Sequence, residues 1–332
     1  MKISIYPFLF VLGLCLNSCG NDSGEPLDFS ADLPEGKYPL ELDADGLQLV
    51  ATPTQPISRG TIEGNWDGVE SVKMRVNDTQ EKEYKVEALE DKTTARLTPA
   101  TPLESSDKLF WWTSTDEVKA VAAWAPYEYV LDESIEFPSE WTNEDFAKYD
   151  IIGVSQTIGF KDRNEPLVFQ HLMAKFVFNL RKTPYLENAK NVKVLLNGHL
   201  LKYGFITIDY RGMLVMKFKA GQIDEYITPY HLPENEYEDV DFGDGEPEKP
   251  FASYTALVPP LNGIVSPLLI IEVDGVKYNL RQSSFTDDQF VAYRAGQVYV
   301  FNVTVKENGI DVTVGESIDW GIGNTGSGEI II

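Results

Sequence analysis

The feature that most constrains the fold is a series of short apolar runs separated by turn dipeptides. Runs rich in Val, Ile, Tyr and Phe recur from about residue 38 to the end of the 332-residue chain. Asp274 and Gly275 join two of these runs, residues 268–273 and residues 276–280. An Asp-Gly pair favours a type I′ turn because both central residues need positive φ, so this segment is predicted to be a β-hairpin.

A second hairpin is predicted near the end of the chain. Asn308 and Gly309 separate residues 298–305 from residues 310–314, and Asn-Gly is another dipeptide that favours a type I′ turn. Residues 72–76 alternate apolar and polar side chains, as a strand with one buried face does. The pattern of these segments is therefore typical of antiparallel sheets.

Helical periodicity is confined to about one turn around residues 143–149. Many short strands with almost no crossover helices predict an all-β protein made of β-sandwiches. The chain is long enough for two domains of ordinary size. We place the boundary near Thr183 and Pro184, which gives an N-terminal domain of residues 38–183 and a C-terminal domain of residues 184–332 with a flexible tail.

Composition limits both the partners and the stabilising forces. The chain is 43% hydrophobic and 12% aromatic, which is enough apolar material for folded cores. Its formal net charge of -24 argues against nucleic acid and anionic lipid headgroups as partners, since both require a basic surface. The only cysteines, Cys15 and Cys19, lie in or at the end of the N-terminal leader, so the mature protein is expected to fold without disulfides.

The N-terminus is predicted to be an export leader that ends at Cys19. Residues 1–18 hold a minimal positive start and an apolar run too short to span a bilayer, which is typical of a signal peptide. Leu16, Ser18 and Cys19 resemble the lipobox of bacterial lipoproteins, in which Cys19 would be acylated. Residues 19–37 would then be a tether, and the lipid would be the only membrane attachment. An ordinary secretory leader cut near Ser18 is the alternative.

Motifs that carry chemistry are absent or incomplete, so no catalytic residue, metal site or cofactor is predicted. Residues 321–326 match G-x-G-x-x-G, but only six residues follow, which leaves no room for a βαβ unit. Residues 239–245 place carboxylates near the spacing of a calcium loop without completing it. His171 lies far from the other histidines and from any cysteine, and a hydrogen-bonded structural role is expected for it.

Two aromatic segments have alternative interpretations. Residues 110–112 and residues 124–127 are rich in Trp, Phe and Tyr and would form a carbohydrate-binding platform if they were exposed. Aromatic residues within strands are more often core residues, and that is the expectation here.

Seven segments together resemble the fimbrillin-like family of surface proteins from gut and oral anaerobes. Four lie in the N-terminal half and three in the C-terminal half: residues 109–113, 124–127, 150–153 and 168–175, then residues 254–260, 293–305 and 318–320. Their order and spacing cover most of the mature chain, so the set is more specific than any single motif.

The resemblance implies two tandem transthyretin-like (Greek-key) β-sandwich domains, no catalysis, and a role as a fimbrial subunit or adhesin. In that family a lipoprotein precursor reaches the cell outer membrane, and an arginine-specific protease then removes an N-terminal stretch. The vacated groove is filled by a strand from the next subunit, which is donor-strand exchange. The implied partners are other fimbrial subunits, and beyond them a host or bacterial surface protein or glycan.

Arg59 is the predicted processing site, with Gly60 as the new N-terminus. Residues 38–42 and residues 47–50 alternate as a first pair of strands would, and Arg59 follows in a loop that contains Pro, Ser and Thr. Arg75 lies inside a predicted strand and is a poorer candidate. The alternative is that Arg59 is only an exposed loop residue in a stable lipoprotein.

The C-terminal tail bears on the position of the protein in a fimbrium. Residues 321–328 are glycine-rich and lead to three isoleucines, residues 330–332. Three apolar residues are few for a donated strand, since strands usually have about five or six residues, so a tip or anchor role is favoured over a stalk role. Two other functions stay open: a monomeric glycan-binding surface lipoprotein, and an enzyme with two carboxylates facing each other across a cleft.

Overall fold

The computed structural model describes residues 40, 42–45, 66, 68–90, 94–100, 110–222, 225–262, 267–281, 292–314 and 318–319. The predicted leader, the tether, Cys19, Arg59, Gly60 and the C-terminal tail lie outside the described residues.

Strands make up most of the regular structure. The first eleven are β1 (Leu42–Asp45), β2 (Ser71–Val76), β3 (Lys82–Ala88), β4 (Ala95–Pro99), β5 (Val118–Ala125), β6 (Ile135–Glu136), β7 (Ile152–Gly159), β8 (Leu167–Val168), β9 (Gln170–His171), β10 (Ala174–Leu180) and β11 (Val192–Asn197). The remainder are β12 (Tyr203–Ile208), β13 (Leu214–Lys219), β14 (Tyr226–Ile227), β15 (Tyr230–His231), β16 (Ala252–Val258), β17 (Leu261–Asn262), β18 (Leu269–Val273), β19 (Val276–Leu280), β20 (Ala292–Tyr293), β21 (Gln297–Lys306), β22 (Gly309–Val314) and β23 (Ile318–Asp319). Three short helices are α1 (Asn143–Tyr149), α2 (Pro184–Glu187) and α3 (Gly198–Leu201).

The N-terminal half forms one eight-stranded sheet in the order β8-β1-β4-β3-β2-β5-β7-β9. Its pairs are antiparallel except for β1 with β8, which run parallel. One face of the sheet buries an apolar cluster, here called the first core, built around Trp66, Tyr84, Phe110, Trp112 and Phe169. Alternation along β2 buries Val72, Met74 and Val76, which confirms the predicted strand.

The C-terminal half is a sandwich of two larger sheets. One has the order β15-β16-β10-β21-β22, with β23 also pairing β21, and the other has the order β14-β11-β18-β19. Apolar side chains of both sheets form a second core, built around Trp141, Phe176, Phe178, Tyr293 and Phe301. Phe176 and Phe178 from β10 contact Phe301 from β21 with ring centroids 5.5 and 4.9 Å apart.

Strand β10 joins the second sandwich although it precedes the predicted boundary at Thr183 and Pro184. It pairs antiparallel with β16 along its whole length and parallel with β21 from Lys175 to Leu180. Backbone hydrogen bonds along β10 join it to β16 and β21. This pairing is a stronger link than closeness in the sequence, so β10 belongs with the strands of the second sandwich. We therefore propose that the chain divides between β9 and β10, about ten residues before the predicted point.

The connection from β5 to β7, residues 126–151, crosses from the first sheet to the second core. Strand β6 within it pairs with β12 to complete a three-stranded sheet, β13-β12-β6. Trp141 donates its backbone N–H to the Thr228 carbonyl, and Phe146 of α1 is fully buried in the second core. The two halves are therefore interlocked rather than joined only at one point.

Helix α1 forms where the single helical turn was predicted. Thr142 donates its backbone N–H and its hydroxyl to the Asp145 carboxylate, which fixes the first turn. Phe146 provides the buried contact that a seven-residue helix needs, since so short a helix is not stable alone.

The two predicted hairpins form, but one has a different turn. Asp274 and Gly275 have φ of 48° and 87°, and Val273 pairs with Val276, which confirms the type I′ hairpin of β18 and β19. In the other hairpin Lys306 pairs with Gly309, so the turn residues are Glu307 and Asn308. The prediction of Asn308 and Gly309 as the central pair is wrong because β21 continues to Lys306 and Gly309 already belongs to β22.

Candidate functional site

The candidate site is the position of β1 in the first sheet, here called the β1 slot and bounded by β4 and β8. Leu42 pairs with Leu97 of β4 and Ala44 with Ala95, both antiparallel. On its other side Ala44 pairs in parallel with Leu167 of β8. Among the described residues, the four of β1 hold this internal position in the sheet.

Two leucines fill the slot from the first core. Leu40 and Leu42 are 0% and 1% exposed, and both belong to the first core. Leu40 also donates its backbone N–H to the Phe110 carbonyl at 2.9 Å. Leu97 and Leu167, the residues that border the slot, are 0% exposed. The slot is therefore lined by buried apolar side chains of the first core.

Loss of β1 would create two new strand edges that face each other. Strand β4 would keep β3 as its other neighbour. Among the described strands β8 pairs with β1 alone, so it would be held through its chain connection to Phe169 of the first core and to β9, which pairs with β7. The gap would offer unpaired backbone groups on both sides and apolar side chains at its base. Such a gap is a receptor for one extended segment.

The predicted site residues themselves cannot be positioned around this slot, because Cys19, Arg59 and Gly60 lie outside the described residues. Strand β1 ends at Asp45, and Trp66 is the next described residue along the chain. The predicted cleavage point therefore falls in the segment that links β1 to the rest of the first sheet.

His171 has the structural role expected from the sequence. Its Nδ1 lies 2.8 Å from Asp150 Oδ1, so the ring N–H donates to the carboxylate. Both side chains are buried, Asp150 at the end of α1 and His171 in β9. The Leu172 N–H donates to the Ile151 carbonyl beside them. This cluster fastens the end of the β5–β7 connection to the last strand of the first sheet.

An acidic loop, residues 234–250, lies over the outer face of the six-stranded sheet. Eight acidic residues, four prolines and glycines and little apolar content predict a solvated loop here, but Phe242 is only 7% exposed. Asn302 of β21 donates its side-chain amide to the Asp241 carbonyl. Arg181 donates to Asp244 Oδ2 at 2.5 Å and to Glu248 Oε1 at 2.6 Å. The loop is therefore docked on the sheet, and the Arg181 guanidinium lowers the pKa of Asp244.

Most aromatic residues of the two segments are core residues, as expected. Phe110, Trp112 and Trp124 are 7%, 3% and 0% exposed, so they form no platform for a carbohydrate. Tyr127 is 40% exposed and Trp111 is half-buried, so these two side chains reach solvent.

The loop of residues 239–245 is ordered by its own backbone. Asp241 Oδ1 accepts the backbone N–H groups of Gly243, Asp244 and Gly245. Across the part of the chain that the structure describes, no three His, Cys, Asp or Glu side chains are grouped as metal ligands. None of the described helices is long and apolar enough to cross a membrane.

Two solved structures with TM-scores above 0.5 support the β-sandwich fold, and a third is more distantly similar. A proposed cell adhesion protein from Bacteroides uniformis has a TM-score of 0.55 at 14% identity, covering 87% of this chain and 100% of that chain. One from Bacteroides ovatus has a TM-score of 0.52 at 15% identity, covering 86% and 99%. The tip fimbrial protein Mfa3 from Porphyromonas gingivalis has a TM-score of 0.45 at 9% identity, covering 85% and 99%.

Comparison of sequences shows the family. No curated protein sequence is significantly similar to the chain. A sequence model described as fimbrillin-like matches residues 58–320, which is most of the chain. The predicted fold class, all-β with sandwiches, is confirmed by the sheets and by the structural relatives. The chain belongs to the fimbrillin-like family.

Proposed function

We propose that this protein is a fimbrial subunit or adhesin of the cell surface, and that its β1 slot receives a strand from another subunit. In this proposal an arginine-specific protease cuts after Arg59, β1 leaves, and donor-strand exchange fills the gap. The observation that carries the proposal is the β1 slot itself, an internal sheet position held by a short strand whose link to the sheet contains the predicted cleavage point.

The energetics of the slot favour replacement rather than an empty gap. Full burial of a leucine contributes about 1.5–3 kcal/mol, so Leu40 and Leu42 together contribute about 3–6 kcal/mol. Loss of β1 would expose their apolar neighbours and leave two strand edges unpaired. A donated strand of about five or six residues would pair over a greater length than the four residues of β1. Replacement of β1 by the donated strand should therefore lower the free energy once the covalent link is cut.

Export and location complete the proposal. Residues 1–18 direct export, Cys19 carries the lipid, and residues 19–37 tether the precursor to the outer face of the cell outer membrane. The match to the fimbrillin-like family begins at residue 58, so residues 42–45 of β1 lie before the matched region. That limit is consistent with a separable N-terminal segment. The short isoleucine run at residues 330–332 favours a tip or anchor position.

Cleavage followed by peptide capture tests this function. The protein beginning at Gly20, which keeps every described residue, is treated with an arginine-specific protease beside an Arg59→Ala variant. A fluorescent peptide with the sequence of residues 38–50 is then added in excess, and its anisotropy is measured. We expect the cut protein to bind the peptide, because the slot is vacant or exchangeable.

Two controls make the result decisive. A peptide in which the residues equivalent to Leu40 and Leu42 are aspartate has no apolar contact with the first core and should not bind. The uncut Arg59→Ala protein should not bind the original peptide either. Equal binding to cut and uncut protein, or no binding to the cut protein, would overturn the proposal.

The alternative of a monomeric glycan-binding lipoprotein has no specific support in the described residues. Phe110, Trp112 and Trp124, which belong to the aromatic segments that suggested it, are buried in the cores. For an enzyme the family gives no support, since the matching model is described as fimbrillin-like.

A further inference from the structure

Charge is strongly segregated along one part of the chain. Residues 188–222 contain a single acidic residue, Asp209, and six basic ones: Lys190, Lys193, Lys202, Arg211, Lys217 and Lys219. Residues 223–250, which include the acidic loop, contain ten Asp and Glu residues and a single Lys, Lys249. In a chain of net charge -24, a basic stretch of this length is exceptional and its placement in the fold is informative.

The basic stretch forms an exposed sheet face, here called the basic face and consisting of Tyr203, Phe205, Val215, Lys217 and Lys219. Lys217 pairs with Phe205 across β12 and β13, and Lys219 pairs with Tyr203, so each lysine lies beside a half-buried aromatic ring. Both lysines are exposed and make no ion pair with any described residue. The opposite face of the same hairpin is anchored, since Leu214 and Met216 are buried in the second core.

The hairpin tip extends the basic face with an ordered projection. Tyr210 is 95% exposed and Met213 is 46% exposed. Asp209 Oδ1 accepts the backbone N–H groups of Arg211 and Met213, which fixes the turn. Tyr, Met and Arg are enriched in protein interfaces, and an ordered turn loses little entropy when it binds.

The acidic loop is a complementary surface that is also preorganised. Phe242 and Arg181 hold it on the six-stranded sheet. Glu234 and Glu246 remain exposed and have no ion pair within the described residues. Its charges are therefore presented on a fixed backbone rather than on a solvated chain.

We propose that the basic face of one copy binds the acidic loop of a second copy. Two molecules with a charge of -24 repel each other, so a self-contact requires a local basic surface against an acidic one. Lys217 and Lys219 find no partner among the described residues of their own chain, which leaves them for an intermolecular contact.

Because the two surfaces differ, the contact is heterologous and extends from copy to copy. The proposal rests on the proposed surface location, because the contact brings copies of this chain together there, and it does not depend on a tip, anchor or stalk position. It does not require cleavage at Arg59, and it can therefore be tested on uncut protein.

Charge exchange between two variants tests the contact. The uncut protein beginning at Gly20 is studied by sedimentation velocity at about 100 µM in low and in high salt. We expect the wild type to self-associate in low salt and to be monomeric in high salt. Salt weakens the attraction between surface charges, because the Debye length is about 10 Å at 0.1 M and shorter at higher salt. Lys217→Glu/Lys219→Glu removes the basic face, and Glu234→Lys/Glu246→Lys reverses the acidic loop.

Each variant alone should associate at least about tenfold more weakly than the wild type, since each one opposes like charges across the contact. An equal mixture should recover association, because the acidic face of one variant meets the basic loop of the other. The control Lys85→Glu/Lys277→Glu makes the same change in net charge with exposed lysines of β3 and β19, and it should associate like the wild type.

Three results would overturn the proposal: a monomeric wild type at low salt, wild-type association by the Lys217→Glu/Lys219→Glu variant, or a mixture that does not recover association. Failure here leaves peptide capture by the cut protein unaffected, so the two proposals are judged separately.

Discussion

Replacement of Leu42 by alanine measures how firmly β1 holds its slot. Leu42 is 1% exposed, lies opposite Leu97 and belongs to the first core. The change removes three carbon atoms, and at about 0.8 kcal/mol for each buried methylene the transfer contribution is about 2.4 kcal/mol. The cavity left in a packed core raises the cost, so the free energy of unfolding should fall by about 2.5–4 kcal/mol.

The assay is urea unfolding of uncut protein followed by tryptophan fluorescence, with Trp66 and Trp112 reporting from the same core. Leu89→Ala is the matched control, because it makes the same chemical change at a leucine that is 40% exposed. The control should cost less than about 1 kcal/mol. Equal effects of the two substitutions would refute the reasoning, since they would mean that β1 contributes no buried contact.

Three further substitutions test other parts of the structure. Gly153→Ala would place a Cβ 2.5 Å from the Leu214 side chain, which crowds the contact between the first sheet and β13. The substitution should lower the free energy of unfolding by about 1–3 kcal/mol. An unchanged midpoint of urea unfolding would count against the contact. Arg181→Ala should release the acidic loop, seen as faster cleavage by a Glu-specific protease, whereas Lys182→Ala should leave the rate as it is. The hydrogen bond with Tyr185, together with burial, raises the pKa of Tyr278 to about 12. The protonated Tyr278 hydroxyl therefore stabilises the fold fully below pH 10, and this stabilisation is lost as the pH rises towards 12. Tyr278→Phe should therefore cost about 1 kcal/mol at pH 8 and show a smaller loss of stability between pH 10 and 12; parallel pH profiles would contradict this.

The sequence predicted the parts of the fold that depend on neighbouring residues. The hairpin at Asp274 and Gly275 needs two residues with positive φ, and that requirement is written in the dipeptide itself. The alternation in β2 and the single turn of α1 are likewise local patterns. The shifted turn at Asn308 shows the limit, since cross-strand pairing of Lys306 with Gly309 decided the register there.

Features that depend on distant contacts were not predictable from one sequence. The docking of the acidic loop relies on Arg181, more than fifty residues earlier, and on the outer face of a sheet that forms only in three dimensions. Composition alone indicated a solvated loop because one buried phenylalanine among many acids gives almost no periodic signal. The strands that pair with β10 could not be predicted from the sequence for the same reason, since its parallel pair with β21 joins residues more than a hundred positions apart.

The β1 slot was predictable in part: the strand follows from a local pattern, but its neighbours depend on contacts between distant residues. The alternating pattern of residues 38–42 indicated a first strand, which the structure places at Leu42–Asp45, and the resemblance to a family suggested that it is removable. The neighbours β4 and β8 could not be identified from the sequence, because one lies about fifty residues away and the other more than one hundred and twenty. The structure identifies these neighbours, and the slot between them is what makes this region a candidate receptor for a strand of another subunit.

The central claim is that β1 is removed from the working protein. The most direct test is mass spectrometry of the N-terminus of the protein isolated from the surface of the cells that produce it. We predict a mature chain that begins at Gly60, with β1 absent from assembled material. A mature chain that begins only at an acylated Cys19 would contradict it, because β1 would then remain covalently attached in its slot.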